Sequence, residues 1–240
     1  MSPKRPDPKF IKKISPFFSI LEKYFRYEVK GFKNIPRRKA LVVMNHGVIP
    51  YHGFLLAKKI FETYHVVPRG LGAEFLFHIP GVREFFWKGG AVNASHKNAE
   101  RLLKQKELLL LAPGGIYEAL IAKKGLKRIP WERRQGFVEL AVETQTPIVP
   151  TYGQGINSVY YNSYFLLRPR IKLLEQFRFS LPFFFGLGFF PFPRKLIHRV
   201  GKPIDPRRKK GESKSQQIHR LHQEVIKAMA KLAKAKRKIK

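Results

Sequence analysis

The sequence has no cysteine and few acidic residues. The absence of cysteine from all 240 residues excludes disulfides and thiolate metal sites. Aspartate and glutamate number 16 against 48 lysine and arginine, which gives a formal net charge of +32. Asp7 and Asp205 are the only two aspartates. A catalytic carboxylate in the body of the chain must therefore come from glutamate.

Long apolar runs are also missing. No stretch reaches the roughly 18 consecutive apolar residues typical of a transmembrane helix. Behind the basic first residues, Lys12, Lys13 and Pro16 interrupt the apolar run that a cleaved signal peptide needs. We expect neither a conventional transmembrane helix nor a cleaved secretion signal, and any membrane partner would be met at its surface.

The excess of positive charge predicts an anionic partner. Nucleic acid, an anionic membrane surface and a polyanionic carrier such as coenzyme A all fit, and charge alone does not choose among them. Residues 205–240 carry a net +10, so most of the charge lies in the body of the chain. Hydrophobic residues at 44% and charged residues at 27% are typical of a folded protein. This composition and length predict one domain with short appendages.

Short apolar runs alternate with helical patterns in residues 28–204. We predict strands at 40–44, 64–67, 108–111 and 148–152, and helices at 53–61, 95–106 and 137–144, with two short helices in 73–87 broken at Pro80. This alternation predicts an α/β fold, a single layered domain with a mostly parallel central sheet flanked by helices. Catalytic groups in such a fold lie on loops at strand ends.

Amphipathic helices are predicted at both ends. In residues 1–27 apolar residues recur at helical spacing, and Ser15-Pro16 predicts a second helix start, which gives a hairpin or a bent helix. This segment either packs on the core or anchors at a membrane interface. Residues 205–240 are predicted to form a basic helix from Ser213, which either docks on the core or contacts anionic headgroups.

Residues 179–193 contain seven phenylalanines together with three prolines and two glycines. Proline at that density prevents a long helix or a central strand. Each large apolar side chain left in water costs roughly 1.5–3 kcal/mol relative to burial. The segment must therefore be covered by core, by lipid or by a partner.

His46 follows the predicted buried strand directly, at the start of a loop. A neutral imidazole there can take a proton from an alcohol, although a histidine in this position can also be structural. Gly114 and Gly115 follow the strand at 108–111. Two successive glycines allow backbone N–H groups to point at a developing oxyanion, and a simple tight turn is the alternative.

Four segments in this order and spacing resemble the glycerolipid and lysophospholipid acyltransferase superfamily over about residues 28–204. They are Asn45-His46-Gly47, Pro113-Gly114-Gly115-Ile116-Tyr117-Glu118-Ala119-Leu120, residues 134–160, and Gly201-Lys202-Pro203-Ile204. The second segment is closest to the Pro-Gly-Gly-x-x-Glu-Ala form of the type 2 diacylglycerol acyltransferase branch. The resemblance implies an O-acyltransferase that moves an acyl group from acyl-CoA or acyl-carrier protein to a lipid hydroxyl, with no metal and no other cofactor.

In that mechanism His46 is the general base, and N–H groups of Gly114 and Gly115 meet the oxyanion. The superfamily's usual aspartate, five residues after the histidine, is Tyr51 here. Glu118 is then the best candidate for an orienting carboxylate. His52 is a further catalytic candidate, with a structural loop histidine as the alternative.

The resemblance also suggests how the substrates are held. Tyr117 stands where phosphate-binding relatives have an arginine, which favours a neutral lipid alcohol over lysophosphatidate as the acceptor. Arg83 and Lys88, with Arg133 and Arg134, are candidates for the phosphates of the acyl carrier, and a solvated face is the alternative for each.

The expected partners are therefore the acyl donor, the lipid acceptor and an anionic membrane surface. We expect a peripheral protein on the cytoplasmic face of a membrane. A catalytically inactive lipid-binding member of the same fold is one alternative. A nucleic-acid-binding protein is a remote one, because no nucleic-acid motif accompanies the charge and no such partner is expected.

Overall fold

The computed structural model describes residues 5–126, 128–177, 179–180, 183–188 and 190–235. The helices are α1 Pro8–Tyr24, α2 Tyr51–Tyr64, α3 Val82–Lys88, α4 His96–Lys104, α5 Gly115–Ile121, α6 Gly136–Thr144, α7 Leu167–Phe177 and α8 Lys214–Lys234. The strands are β1 Glu28–Lys30, β2 Ala40–Met44, β3 Arg69–Gly72, β4 Val92–Asn93, β5 Leu108–Leu111, β6 Ile148–Gln154, β7 Tyr161–Ser163, β8 Phe183–Phe185 and β9 Ile197–Val200.

Seven strands form one sheet in the order β1-β9-β6-β2-β5-β3-β4. The pairs β2–β5, β2–β6, β3–β5, β3–β4 and β1–β9 are parallel, and only the β6–β9 pair is antiparallel. Helices flank both faces. The predicted α/β fold with a mostly parallel central sheet is confirmed.

Strand β2 lies in the middle of the sheet and is buried along its whole length. Successive side chains of a strand point to opposite faces. Leu41 and Val43 accordingly pack in the hydrophobic cluster that includes residues of α4, α6 and α8, whereas Val42 and Met44 pack in the cluster that includes residues of α2. An apolar run buried on both faces is what a central parallel strand requires.

The predicted strand at 64–67 is wrong. Tyr64 is the last residue of α2, and His65 ends the helix in a left-handed conformation with its N–H donated to the Phe61 carbonyl. The next strand begins at Arg69. Helix α2 extends this far because Leu56 and Ile60 are buried against the sheet.

The N-terminal segment forms one helix, so the predicted second start at Ser15-Pro16 is wrong. The Asp7 carboxylate caps α1 by accepting from the N–H groups of Lys9 and Phe10, and Pro16 lies inside the helix. Phe18 packs in the core, whereas Phe17 and Ile20 are exposed. The helix therefore docks on the domain and keeps an apolar outer edge.

Helix α8 begins after the Ser213 cap, as predicted, and Ser213 shares a capping box with Gln216. Its buried residues Leu221, Val225 and Met229 join the core cluster that contains Leu41 and Val43. This helix is docked. None of the helices within the described ranges combines the length and the apolar character needed to cross a bilayer.

Strands β7 and β8 form a separate two-stranded antiparallel sheet, with α7 between them in sequence. The predicted phenylalanine-rich segment 179–193 contributes β8 and then returns to the domain at β9. Residues 181, 182 and 189 of that segment lie outside the described residues. The division at 27 and 204 stays a prediction.

Candidate active site

His46 lies two residues beyond the carboxyl end of β2, between the ends of β5 and β6. Gly47 turns the chain with φ 81°, and a Cβ atom there would come within 2.7 Å of the Ile156 side chain. Glycine is needed at this position because few other residues adopt that backbone conformation. His46 is half-buried at the carboxyl end of β2.

The His46 ring is held by its own loop. Its Nδ1 lies 2.5 Å from the Gly47 carbonyl oxygen. A carbonyl can only accept, so Nδ1 carries the proton and Nε2 keeps its lone pair. Removal of the ring from bulk water lowers the His46 pKa, although the Gly47 carbonyl partly opposes this. The imidazole is therefore neutral at pH 7, and its basic Nε2 has no hydrogen-bond partner among the described residues.

Glu118 is buried on α5 and contacts the His46 backbone. Its Oε2 accepts a hydrogen bond from the Trp131 indole at 3.1 Å, and the carboxyl also accepts from the His46 N–H. Burial is the main cause that raises the pKa of Glu118 to about 7, against the two hydrogen bonds. Within the described residues, the imidazole bonds to the Gly47 carbonyl, whereas the Glu118 carboxyl bonds to the His46 main chain. The orienting role of Glu118 stays a prediction.

The glycine loop lies against the same carboxyl group. A Cβ atom at Gly114 would overlap Glu118 Oε2. The N–H of Gly115 donates to the Ala112 carbonyl at 3.0 Å, so it is used within the turn. This corrects the prediction that both glycines offer an N–H to an oxyanion, because only the Gly114 N–H remains as a candidate.

His52 does not reach the surface, which favours the structural alternative, and its catalytic role stays a prediction. It is fully buried in the first turn of α2, and its Nε2 donates to the Asn45 carbonyl at 2.9 Å. Its ring packs against His198 with centroids 5.0 Å apart. Burial and the neighbouring His198 lower its pKa well below the usual value. His52 therefore supports the Asn45-His46 loop from beneath.

A buried network below this loop was not predicted from the sequence. His198 Nε2 donates to Thr151 Oγ1 at 3.0 Å, since the Thr151 hydroxyl already donates to the Val43 carbonyl. His198 Nδ1 then accepts from the Tyr27 hydroxyl at 3.0 Å. These contacts tie β9, β6 and the chain before β1 together under His46. Their residues are far apart in sequence, and no local motif marks them.

Trp131 was also missed, although it carried a usable signal. It is one of two tryptophans, and a buried indole N–H needs an acceptor. Its carbonyl accepts from His222 Nε2 of α8 at 2.9 Å. Trp131 therefore links Glu118 to the C-terminal helix.

The predicted substrate-binding residues are spread more widely. Tyr117 is half-buried on α5, next to Glu118. On α3, Arg83 pairs with Glu84 at 2.6 Å and lies over the Trp87 ring, and Lys88 lies over the Phe10 ring of α1. Arg133 and Arg134 are exposed. In the described residues, neither Arg83 nor Lys88 contacts His46 or Glu118.

The site thus combines a neutral imidazole, a carboxyl group that titrates near pH 7 and a glycine turn at the ends of neighbouring strands. A base and a nearby oxyanion donor are the groups that acyl transfer to a hydroxyl requires. Across the described ranges, no group of three or more histidine or acidic side chains could hold a metal ion.

Comparison with solved structures finds the same fold. The 1-acyl-sn-glycerophosphate (LPA) acyltransferase PlsC from Thermotoga maritima matches with a TM-score of 0.58 at 18% identity. The match covers 95% of this chain and 81% of that one.

Comparison with curated proteins finds relatives in animals and bacteria. The mouse "DGAT1/2-independent enzyme synthesizing storage lipids" is 32% identical over 183 residues, which are 75% of this chain and 54% of that protein. An uncharacterized protein of Mycobacterium tuberculosis is 36% identical over 196 residues, which cover 75% of this chain and 52% of that one. The chain spans about half the length of the curated relatives it matches.

A family model described as "Diacylglycerol acyltransferase" matches residues 12–240, nearly the whole chain. The matched region contains the His46 loop, the glycine turn and every strand of the central sheet. The chain belongs to the diacylglycerol acyltransferase family.

Proposed function

We propose that this protein is an O-acyltransferase that moves a fatty acyl group from acyl-CoA or acyl-carrier protein to a lipid hydroxyl, with His46 as the general base. The observation that carries the proposal is the hydrogen bond between His46 Nδ1 and the Gly47 carbonyl. It fixes the proton on Nδ1 and leaves the basic Nε2 available at the edge of the sheet. Membership of the diacylglycerol acyltransferase family supports the same reaction class.

The reaction is a direct transfer. Nε2 takes the proton of the acceptor hydroxyl as its oxygen attacks the thioester carbonyl carbon. The C–S bond of the tetrahedral intermediate then breaks, and the leaving thiolate receives the proton from Nε2. The reaction needs no covalent acyl-enzyme and no metal. The Gly114 N–H is the candidate donor to the oxyanion.

Glu118 acts on the loop and not on the ring in this proposal. Its carboxyl accepts from the His46 N–H, and so it fixes the main chain that carries the base. Trp131 holds that carboxyl from the other side. With the pKa of Glu118 at about 7, its charge changes within the working pH range, which makes it a second titrating group next to the base.

The acceptor is proposed to be a neutral lipid alcohol, such as a diacylglycerol or a long-chain alcohol. Tyr117, beside Glu118, offers a hydroxyl and a ring but no guanidinium fork for a phosphate. The protein would work at an anionic membrane surface as a peripheral protein on the cytoplasmic face. Arg83 and Lys88 remain candidates for carrier phosphates, and a substrate there would compete with Glu84 for Arg83.

The decisive experiment supplies purified protein with a panel of acyl-CoA and acyl-carrier donors, together with diacylglycerol, long-chain alcohol and lysophosphatidate acceptors in mixed micelles. Mass spectrometry identifies the acylated products. We expect transfer to the neutral acceptors, and His46→Gln should lower it by about 10²–10⁴-fold. Preferred acylation of lysophosphatidate would contradict the acceptor assignment.

The matched control is His96→Gln. His96 is an exposed histidine on α4 that pairs with Glu143, so its replacement should leave transfer unchanged. Urea unfolding and vesicle sedimentation should show that both variants fold and bind lipid as the wild type does. An active His46→Gln protein would refute the base, and a lack of turnover with every donor would select a non-catalytic lipid-binding protein.

A further inference from the structure

Exposed apolar side chains are concentrated in one part of the molecule. Of the fourteen large hydrophobic residues that are exposed in the described part of the chain, eleven lie between residues 161 and 190. They are Tyr161, Tyr164, Phe165, Leu166, Leu173, Phe177, Phe179, Phe183, Phe185, Leu187 and Phe190. We call the described residues between 161 and 190, which contain β7, α7 and β8, the aromatic projection. So many exposed large apolar side chains within one short part of the chain are unusual for a soluble monomer and indicate an interaction site.

The exposure follows from the strand register and not from loose packing. Tyr161 pairs with Phe185 and Ser163 with Phe183 across the two strands, so both phenylalanines lie on the outer face. Asn162 and Phe184 form the intervening pair on the inner face, where Phe184 packs against Tyr160 with centroids 4.7 Å apart. Because side chains alternate along a strand, one face of the two-stranded β7–β8 ribbon packs on the domain and the other face is exposed.

The projection is anchored firmly at its base. The buried Asn162 Nδ2 lies 3.0, 2.8 and 3.0 Å from the carbonyl oxygens of Ala119, Leu120 and Ala122 at the end of α5, so its two N–H groups are shared among three acceptors. Arg170 donates to the Ser163 carbonyl at 2.7 Å and lies over the Phe183 ring at 4.7 Å. Since α5 also carries Glu118, the projection is one short helix away from the candidate active site.

A basic cleft lies beside this apolar segment. A cleft of about 230 Å³ beside the base of the ribbon is lined by Arg26, Lys124, Arg194 and Lys195, together with Ser158 and Pro193. The cleft adjoins the ribbon, because Ser158 lies three residues before β7 and the Val159 carbonyl accepts from the Phe192 N–H at 2.7 Å. Within the projection, exposed Arg168 and Lys172 outnumber the single acidic residue, Glu175. Exposed apolar side chains with a basic cleft beside them match the layered chemistry of an anionic bilayer surface.

We propose that the aromatic projection is the membrane-docking element of this protein, with its exposed phenylalanines in the acyl region of an anionic leaflet and the basic cleft against lipid phosphates. The proposal deepens the proposed function, on which it rests for the choice of a lipid surface as the partner. It also assigns docking to this element and not to α1, whose exposed edge is limited to Phe17 and Ile20.

Two matched double variants test the assignment. Phe185→Ser/Phe190→Ser removes side chains that are 61% and 74% exposed from the projection, and Phe17→Ser/Ile20→Ser removes side chains that are 60% and 65% exposed from α1. Sedimentation measures binding to vesicles of phosphatidylcholine with phosphatidylserine. We expect binding to fall by about tenfold or more in the projection variant and by less than twofold in the α1 variant.

Because the protein has no cysteine of its own, a single introduced cysteine can carry a fluorophore that reports membrane insertion at one position. Phe190→Cys and Ile20→Cys each carry one environment-sensitive fluorophore. On addition of the same vesicles, the label at 190 should shift to shorter wavelength, and the label at 20 should change little. Vesicles of phosphatidylcholine alone, or added salt, should weaken the response, because the attraction between the basic cleft and the lipid phosphates is then smaller.

Vesicle binding is measured in the His46→Gln background as well, so that a failure of acyl transfer leaves this test intact. Loss of binding in the α1 variant with normal binding in the projection variant would overturn the proposal. So would normal binding in both variants, or a lipid-free dimer that the projection variant alone converts to monomer without any change in vesicle binding.

Discussion

The side-chain amide of Asn45 forms two hydrogen bonds with the main chain of Gly153. Its Oδ1 accepts from the Gly153 N–H at 2.7 Å, and its Nδ2 donates to the Gly153 carbonyl at 3.3 Å. Asn45 directly precedes His46, and Gly153 lies on β6, the neighbour of β2. Both the oxygen and the nitrogen of the Asn45 amide thus bond to β6, next to the candidate base His46.

Replacement of Asn45 by alanine should lower both the stability of the protein and the rate of acyl transfer. Two buried main-chain groups of Gly153 would lose their partner, which costs about 1–3 kcal/mol of the free energy of unfolding. The His46 loop would also lose its link to β6, so kcat should fall even under conditions in which the variant is fully folded. Urea unfolding and initial rates measure the two effects.

The control is Asn34→Ala, which removes one side-chain hydrogen bond to the Val200 carbonyl at a partly buried site. It should cost no more than about 1.5 kcal/mol and leave the rate unchanged. Equal rates for wild type and Asn45→Ala would contradict a positioning role for Asn45.

Gly153→Ala should be strongly destabilising. A Cβ atom at this position would overlap the His52 ring, which is buried and bonded to the Asn45 carbonyl. Overpacking of this kind costs about 1–3 kcal/mol. Gly136→Ala, in the first position of α6 with open space around it, should instead leave stability unchanged or raise it by up to about 1 kcal/mol. Thermal unfolding of both variants compares the two glycines, and similar melting temperatures would contradict the close packing of Gly153.

Glu118 should make the fold less stable as pH rises. Because burial raises its pKa to about 7, the folded protein keeps a proton that the unfolded chain releases above about pH 4.5. Stability from this group is therefore lost between about pH 4.5 and 7. Glu118→Gln removes the titration and keeps an oxygen acceptor for Trp131. Relative to wild type, the variant should gain on the order of 2–3 kcal/mol between pH 5 and pH 8. If the difference in free energy of unfolding between the two proteins stays constant with pH, the pKa of Glu118 is not raised in the folded protein.

His198 should act in the opposite direction. Burial lowers the pKa of His198 to about 3, so below about pH 6.5 the unfolded chain binds a proton that the folded protein does not. Stability from this group is present above about pH 6.5 and is lost as pH falls. His198→Gln can still donate to Thr151 and accept from Tyr27 without titrating. Its loss of stability between pH 7 and pH 4.5 should be smaller than that of wild type by on the order of 2 kcal/mol, measured by urea unfolding.

The central strands could be predicted from the sequence because their signal is local. Residues 40–44 are an uninterrupted apolar run between Lys39 and Asn45, and residues 108–111 follow Glu107 and end just before Ala112-Pro113. Both runs form buried parallel strands. The edge strands carry no such signal. Glu28-Val29-Lys30 is a strand only because it pairs with residues 197–199 of β9, which are distant in sequence.

The same distinction applies to the site. Alternation of strands and helices predicts that β2 and β5 lie in one mostly parallel sheet, with both loops at the same end of their strands. The direct adjacency of β2 and β5, which brings the His46 loop to the glycine turn, does not follow from it, because β3 and β4 lie between them in sequence. The orientation of the His46 ring does not follow, because it depends on the conformation of Gly47. The network of Tyr27 and His198 could not be predicted, since these residues are 171 positions apart and meet only in the folded chain.

The order of elements has a consequence for synthesis on the ribosome. Strand β9 completes the pairing of both β1 and β6, and the buried side of α8 extends to Ala233 in the main hydrophobic cluster. At synthesis rates of roughly 5–20 residues per second, the earlier strands wait several seconds before these last parts emerge. During that interval the apolar surfaces that β9 and α8 later cover stay exposed on the nascent chain.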